Sequence, residues 1–374
     1  MSKKIQFHTL DALRFFAFLM VYFLHVLIQG VFPVFNFLKS NGSIGVIFFF
    51  TLSGFLITYI LVHEKINVGQ IHLGKFFMRR SFRIWPLYML MVVLAFVMPY
   101  NFYDKIGMHM VGGGYMPDWK FSFSFLENYK MLITDNFPRV TPLSVFWSLC
   151  IEEHFYLLWM VTLFFIPVKG MKYFFSATIL IGIISRIIEM KISTNTMISS
   201  NDILTNLDLF SIGALLGLAV AMDYEAVSKW INNIPVWIKG GFIILTLCFV
   251  VFHETIIPWS YAPNRVISQT IYGLLFTGVI AIFIPQNSVL KIGDSNILSR
   301  LGKISYGLYV YHIICIHVLF QYFLKYNIVI DNWKVLGTFI TLTFFSTLVI
   351  SILSYQYFEK PFLQMREKLK FRGN

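Results

Sequence analysis

Arg14 and His25 stand eleven residues apart in the apolar run LDALRFFAFLMVYFLHV. At about 100° per residue this spacing is three helical turns plus roughly 20°, so one helix face carries both, with about 16 Å of axial rise between them. A guanidinium and an imidazole so placed can bind an anionic group at one level and move a proton at another. Asp11 lies one turn before Arg14 and can pair with it. The competing reading is a snorkelling arginine and a histidine hydrogen-bonded to a neighbouring helix.

A second constellation is WSLCIEEHFY, residues 147–156. Glu152 and Glu153 are adjacent carboxylates in an apolar run, a costly arrangement in lipid. Counted inward from Ser144 they lie about 12–14 Å below the surface, a depth similar to that of His25. Ser148, Glu152 and Tyr156 form an i, i+4, i+8 stripe. A carboxylate beside a histidine fixes its tautomer and raises its pKa. The alternative is a structural pairing of either glutamate with Arg186 or Arg14.

Three further stretches carry polar groups. In GVIFFFTLSGFLIT, residues 45–58, Ser53 and Gly54 allow close helix approach or open the backbone to a cavity. In FFMRRSFRIWPLY, residues 76–88, Arg80 and Arg83 are i, i+3 and can hold a phosphate between them; simple positive charge at a membrane face explains them equally well. In ISYGLYVYHII, residues 304–314, His312 lies about 12 Å from the inner surface with Tyr309 one turn below. An interhelical hydrogen bond is the alternative use of that histidine. Glu359 and Pro361 read as a helix stop, with Glu359 paired to an arginine.

The elements that hold such groups must be membrane helices. The 374-residue chain is 57% hydrophobic and only 13% charged, with 41 Phe and a mean hydropathy of +0.70. Soluble domains carry roughly 25% charged residues, and one water-soluble core of this length cannot hide so much apolar surface. Apolar runs of roughly 20 residues predict an all-α, polytopic integral membrane protein with about ten transmembrane helices, near 10–30, 43–63, 83–100, 144–167, 172–190, 203–222, 238–253, 266–285, 304–323 and 335–357. The whole chain, 1–374, is expected to form a single membrane domain.

Ten spans put both termini on one side. About two-thirds of the Lys and Arg fall on that side, including Lys65, Lys75, Arg79, Arg80, Arg83, Lys360 and Arg366. The bias predicts cytoplasmic termini and accounts for the net charge of +12 without nucleic acid. The first apolar run has no cleavage signature and is expected to be retained. Cys150, Cys248 and Cys315 read as small core hydrophobes, not a disulfide framework. The longest loop, 101–143, holds Gly112, Gly113, Gly114 and Trp119. A structureless loop of that length is unusual unless functional, and it is expected to lie over the outer mouth of a cavity. P-loop, H-E-x-x-H, G-x-S-x-G and dinucleotide signatures are absent. His253-Glu254 lacks metal-ligand spacing, and no metal is expected.

These stretches, in order along nearly the whole chain, resemble the membrane acyltransferase-3 family, which acylates surface sugars and other acceptors in bacteria. The matches are LDALRFF with Arg14 and then His25, FFFTLSGFLIT, the R-x-x-R of Arg80 and Arg83, FWSLCIEEHFY, ISYGLYVYH and the closing FEKP. His154 stands where the family usually has glutamine. The resemblance implies a bacterial inner-membrane protein with an acyl-CoA donor, acetyl-CoA by default, on the cytoplasmic side. It implies a carbohydrate or lipid-linked acceptor hydroxyl approached from the outer side, and links Arg14, His25, Arg80 and Arg83 to activity. With its end at Asn374 the chain is expected to be the form without a further esterase-like domain.

One mechanism fits both readings. His25 is the base, and Glu152 or Glu153 orients it. Arg80 and Arg83 hold donor phosphates, with Arg14, Ser53 and His312 also on the donor's path. A membrane transporter built on the same His, Glu and Arg residues is the rival, although repeat symmetry and interrupted helices are not evident. A non-catalytic membrane partner is a further alternative.

Overall fold

The computed structural model describes residues 5, 7–27, 42–98, 103, 105, 114–192, 201–257 and 262–368. Gly112, Gly113, Lys3, Lys4, Lys39, Lys370 and Arg372 lie outside the described residues. Ten long helices fall on the ten apolar runs: α1 (His8–His25), α2 (Ile44–Val68), α3 (Leu73–Val97), α4 (Phe146–Phe165), α5 (Val168–Ile192), α6 (Leu207–Met222), α7 (Val236–Val251), α8 (Ala262–Ile282), α9 (Ser305–Lys325) and α10 (Trp333–Ser354). Among the described residues the only β-type pairing is an isolated bridge, Tyr115 to Pro138.

Seven of the helices, α2, α3, α4, α5, α6, α9 and α10, are long and apolar enough to cross a membrane. The preceding helix Tyr224–Asn233 and α7 form an eighth candidate, bent by 92°. The bend has a local cause. Ile234 precedes Pro235 and takes an extended conformation (φ −70°, ψ 127°), because the proline ring disfavours the α region in the residue before it. α8 is a shorter apolar helix over Val266–Ile282. The chain is a multi-pass, all-α membrane protein.

The helices fall into two compact units. The first comprises Met1–Val21, Ser40–Leu73 and His154–Lys303. Its tightest packing is α2 against α6. A Cβ added at Gly54 would strike the Phe210 backbone, one at Gly213 the Thr51 carbonyl, and one at Gly217 the Phe55 carbonyl. Lipid supplies no hydrophobic drive between helices, so close backbone contact across small residues must hold them. Gly54 therefore serves close approach, and Gly213-x-x-x-Gly217 is its counterpart on α6. Beside this crossing the Phe155 and Phe210 rings stack at 4.0 Å. Trp159 Nε1 donates to Thr58 Oγ1 at 2.8 Å.

Two charges in this unit are fully accounted for by structure. Lys65 Nζ donates to the carbonyls of Leu163, Phe164 and Ile166 at 2.8, 2.9 and 2.7 Å, satisfying backbone groups that the end of α4 leaves open. Arg186 on α5 is buried and pairs with Asp208 on α6, Nη1 to Oδ1 and Nη2 to Oδ2, both at 2.6 Å. Its Nη1 also reaches the Thr205 carbonyl at 2.5 Å. Nη2 donates to Thr270 Oγ1 at 2.7 Å, and that hydroxyl donates onward to Asp208 Oδ2 at 2.7 Å. The partner of Arg186 is thus Asp208, not either of the paired glutamates.

The second unit comprises Tyr22–Lys39, Gly74–Glu153 and Ile304–Asn374. The last turn of α1 is tied to α10 through the Tyr22 hydroxyl, which meets Thr343 Oγ1 at 2.5 Å and donates to the Ile340 carbonyl at 2.9 Å. The segment between α3 and α4 is not structureless where it is described. It forms short helices Trp119–Phe123 and Glu127–Thr134 around the buried Glu127 carboxylate. That carboxylate accepts from the Tyr115 hydroxyl and from Ser122 Oγ. Tyr88 stacks on Phe125 at 4.1 Å and donates to the Ser122 carbonyl at 2.8 Å, fastening the segment to α3.

Two expectations need correction. The helix does not stop at Glu359 and Pro361. A π-turn, Tyr355–Glu359, leads directly into a further helix, Lys360–Lys368. The wider turn shifts the hydrogen-bond ladder, so the N–H that Pro361 lacks falls in the first turn of the new helix, where it is not needed. Of the cysteines, Cys150 and Cys315 are buried but Cys248 is exposed, on an apolar helix with much of its surface uncovered.

Arg186→Met leaves a buried, unpaired Asp208 and is expected to destabilise the protein by about 3–5 kcal/mol; Arg186→Met with Asp208→Leu together recovers most of that. Thermal unfolding in detergent measures both. Burial pushes the Glu127 carboxyl above the usual carboxylate range. A folded-state value above the unfolded one means a stability contribution that is present below the unfolded pKa and lost as pH rises through the folded one. The stability difference between the unsubstituted protein and Glu127→Gln is expected to shift in favour of the glutamine as pH rises from about 4, and a pH-independent difference contradicts this.

Candidate active site

His25 closes α1 and is half-buried; His312, on α9, is fully buried. His25 Nδ1 lies 3.1 Å from His312 Nε2. The two rings are 5.0 Å apart at 65°. The other nitrogen of His312, Nδ1, is 2.6 Å from the carbonyl oxygen of Tyr309, one turn back along the same helix. Tyr309 is pinned in turn. Its hydroxyl meets Ser148 Oγ at 2.6 Å and donates to the Val145 carbonyl at 3.1 Å. Ser148 begins the Ser148–Glu152–Tyr156 stripe, and Glu152 lies within electrostatic reach of Tyr309.

A second cluster of the same unit gathers around α3. Glu153 is buried and its Oε2 accepts from Trp85 Nε1 at 3.1 Å. Its Oε1 has no hydrogen-bond partner among the described residues. Arg80 interacts electrostatically with Glu153, and Arg83 with Glu359. Glu359 Oε1 accepts from Ser354 Oγ at 3.1 Å, and the Tyr311 hydroxyl donates to that serine at 3.1 Å. Tyr306 donates to the Ile84 carbonyl at 2.7 Å and sits within electrostatic reach of Glu152, Glu153 and Glu359. Trp85 is held between Phe77 and Phe125, at 5.5 and 5.4 Å. Arg80 lies 5.7 Å over the Phe76 ring.

The structure therefore brings His25 to His312, Arg80 to Glu153 and Arg83 to Glu359. Glu152 stands by Tyr306 and Tyr309. Arg14 and Ser53 belong to the other unit. Arg14 pairs there with Asp11, as the i, i+3 spacing predicts. Sequence reading missed Trp85, Tyr306 and the structural part of Tyr309. A readable trace of them was the Trp85-Pro86 pair beside the arginines and the i, i+3 spacing of Tyr309 and His312. Among the described residues no three His, Cys, Asp or Glu side chains come together as a metal site.

Proton-transfer groups and paired guanidinium–carboxylate contacts, within one membrane unit, suit group transfer to a hydroxyl from an anionic donor. Comparison with known proteins bears on the acyl transfer alone. YrhL of Bacillus subtilis is 29% identical over 397 residues, covering 96% of this chain and 56% of YrhL. The peptidoglycan O-acetyltransferase OatA of Listeria monocytogenes is 28% identical over 346 residues, covering 86% of this chain and 51% of OatA. The O-acetyltransferase OatA of Staphylococcus aureus is 25% identical over 365 residues, with 94% and 56% covered. The chain thus spans between 51% and 56% of the length of these relatives. No solved structure matches it. Residues 7–355 match the acyltransferase domain of the acyltransferase-3 family, a stretch that takes in all ten long helices of both units, and the chain belongs to that family.

Proposed function

We propose that the chain transfers an acyl group, acetyl by default, from acetyl-CoA to a hydroxyl of a cell-envelope glycan, with His25 as general base. The observation that carries the reading is the His25–His312 contact of 3.1 Å, with His25 the partly accessible member. The family match supports acyl transfer as the reaction. Two relatives that are named O-acetyltransferases, one of them for peptidoglycan, make the peptidoglycan glycan the first acceptor to test.

The chemistry is a balanced exchange. The acceptor hydroxyl loses its proton to His25 as its oxygen attacks the thioester carbonyl. A C–O bond forms, the tetrahedral intermediate collapses, and the C–S bond breaks. The proton on His25 then passes to the departing thiolate. Arg80 and Arg83 hold the donor's phosphates through charge-assisted bonds. Glu153 interacts electrostatically with the first of these guanidiniums and Glu359 with the second.

The charge bias of the chain supports an orientation in which the Arg80–Arg83 end of α3 and both termini face the cytoplasm, where a CoA donor is made. On this reading the protein lies in a bacterial inner membrane, one acyltransferase domain spans the chain, and the acceptor is reached from the other side.

Mass spectrometry of envelope glycans from cells with and without the protein tests the reading; a gain of one acetyl group on one sugar is expected, and identical glycans would overturn it. His25→Ala is expected to cost about 1–3 kcal/mol of stability through the lost bond to buried His312 but to keep the fold, while lowering transfer by roughly 10²–10⁴-fold. Arg80→Ala with Arg83→Ala is expected to raise the KM for acetyl-CoA by about tenfold or more, with a smaller change for the acceptor. An unaltered donor KM contradicts the role given to the two arginines.

A further inference from the structure

We propose that His312 is a positioning residue that sets the tautomer of His25, so that the basic nitrogen of the site is Nε2 of His25. The inference rests on the reading of His25 as base.

It begins from an atom whose role is unambiguous. The Tyr309 carbonyl can only accept, so the 2.6 Å contact from His312 Nδ1 puts a hydrogen on that nitrogen. His312 is fully buried. An imidazolium there is costly, so the ring is neutral and its Nε2 carries the lone pair. That lone pair faces His25 Nδ1 at 3.1 Å. Two lone pairs at this distance repel, so His25 must supply the hydrogen. A neutral His25 with hydrogen on Nδ1 has its own lone pair on Nε2, the nitrogen pointing away from His312.

The surroundings make the arrangement rigid. Tyr309 is held at both ends, by its carbonyl on His312 and by its hydroxyl on Ser148 and Val145. Tyr22, one turn before His25, is bonded to Ile340 and Thr343 on α10. Both rings are therefore fixed through their helices. When His25 takes the acceptor's proton on Nε2, its Nδ1–H still points at the His312 lone pair, now as a charge-assisted bond. His312 keeps its own Nδ1 hydrogen throughout and never becomes charged. The sequence had placed His312 on the donor's path; the geometry instead has it act through His25. A carboxylate performs this task in the serine hydrolase triad; here a neutral ring does it, with no charge buried in the resting state.

The test uses the full chain in lipid nanodiscs, with imidazole nitrogens labelled with ¹⁵N and the His25 signals identified by their loss in His25→Ala. The Nδ1–H tautomer of His25 is expected in the unsubstituted protein and in His312→Gln, whose amide oxygen can accept near the Nε2 position. His312→Leu is expected to shift His25 toward the Nε2–H tautomer. Release of CoA from acetyl-CoA, measured in proteoliposomes with peptidoglycan glycan strands, gives the kinetic arm. There His312→Leu is expected to lower kcat by roughly 10²–10⁴-fold with the donor KM unchanged, and His312→Gln to recover most of it. An Nε2–H tautomer in the unsubstituted protein overturns the proposal, and so do equal rates for the leucine and glutamine variants. An active His25→Ala instead removes the base assignment, while the tautomer spectra report on the pair by themselves.

Discussion

A polar group inside a membrane span has no water to bond, so each one must find its partner within the protein. That requirement is visible at two charges within the helices. Arg186 is enclosed by Asp208, Thr205 and Thr270, with the guanidinium fork matched to both carboxylate oxygens. Lys65 spends its three N–H groups on three carbonyls at the end of α4. In both cases a residue that sequence statistics treat as charge alone is a structural joint between helices. These joints also set helix positions, because a buried pair that loses one member costs far more than a surface pair.

Packing between helices follows the same logic from the apolar side. The α2–α6 crossing is made by glycines whose missing side chains let backbones meet. Large aromatic side chains such as Phe155, Trp159 and Phe210 fill the space beside them. In the second unit Tyr88 joins the folded segment between α3 and α4 to α3, and the buried Glu127 acts as the hub of that segment. A long connection thus becomes a built element without sheet or disulfide among the described residues.

In the candidate active site the same kind of partnership joins two histidines and leaves one of them partly accessible. His312 has both nitrogens engaged, whereas His25 is linked to it and still partly accessible. The Glu153 and Glu359 carboxylates near α3 interact electrostatically with Arg80 and Arg83. The π-turn at Tyr355–Glu359 turns Glu359 inward beside Ser354 and close to Gly307. Irregular turns of this kind recur at functional sites because they re-aim one side chain without breaking the helix.

Hydropathy and short-range spacing made much of this legible in the sequence. Among the described residues ten long helices overlap the ten apolar runs, because hydropathy is summed over one segment and needs no neighbour, but α3 begins at Leu73, so Arg80 and Arg83 lie inside a helix and not in the loop before it. Asp11–Arg14 and Tyr309–His312 are pairs at i, i+3, which helix geometry alone brings together. The Gly213-x-x-x-Gly217 spacing was also readable. Tertiary structure alone decided the rest. His25 and His312 are 287 residues apart, and no spacing rule predicts which faces of two separate helices meet. The same holds for Arg186 with Asp208 and for Trp85 with Glu153. Membrane helices pack through shape and a few polar contacts, not through a periodic hydrophobic code; the sequence therefore determined which segments form apolar helices and which residues are candidates for chemistry, and only the packed helices decided which of those residues touch.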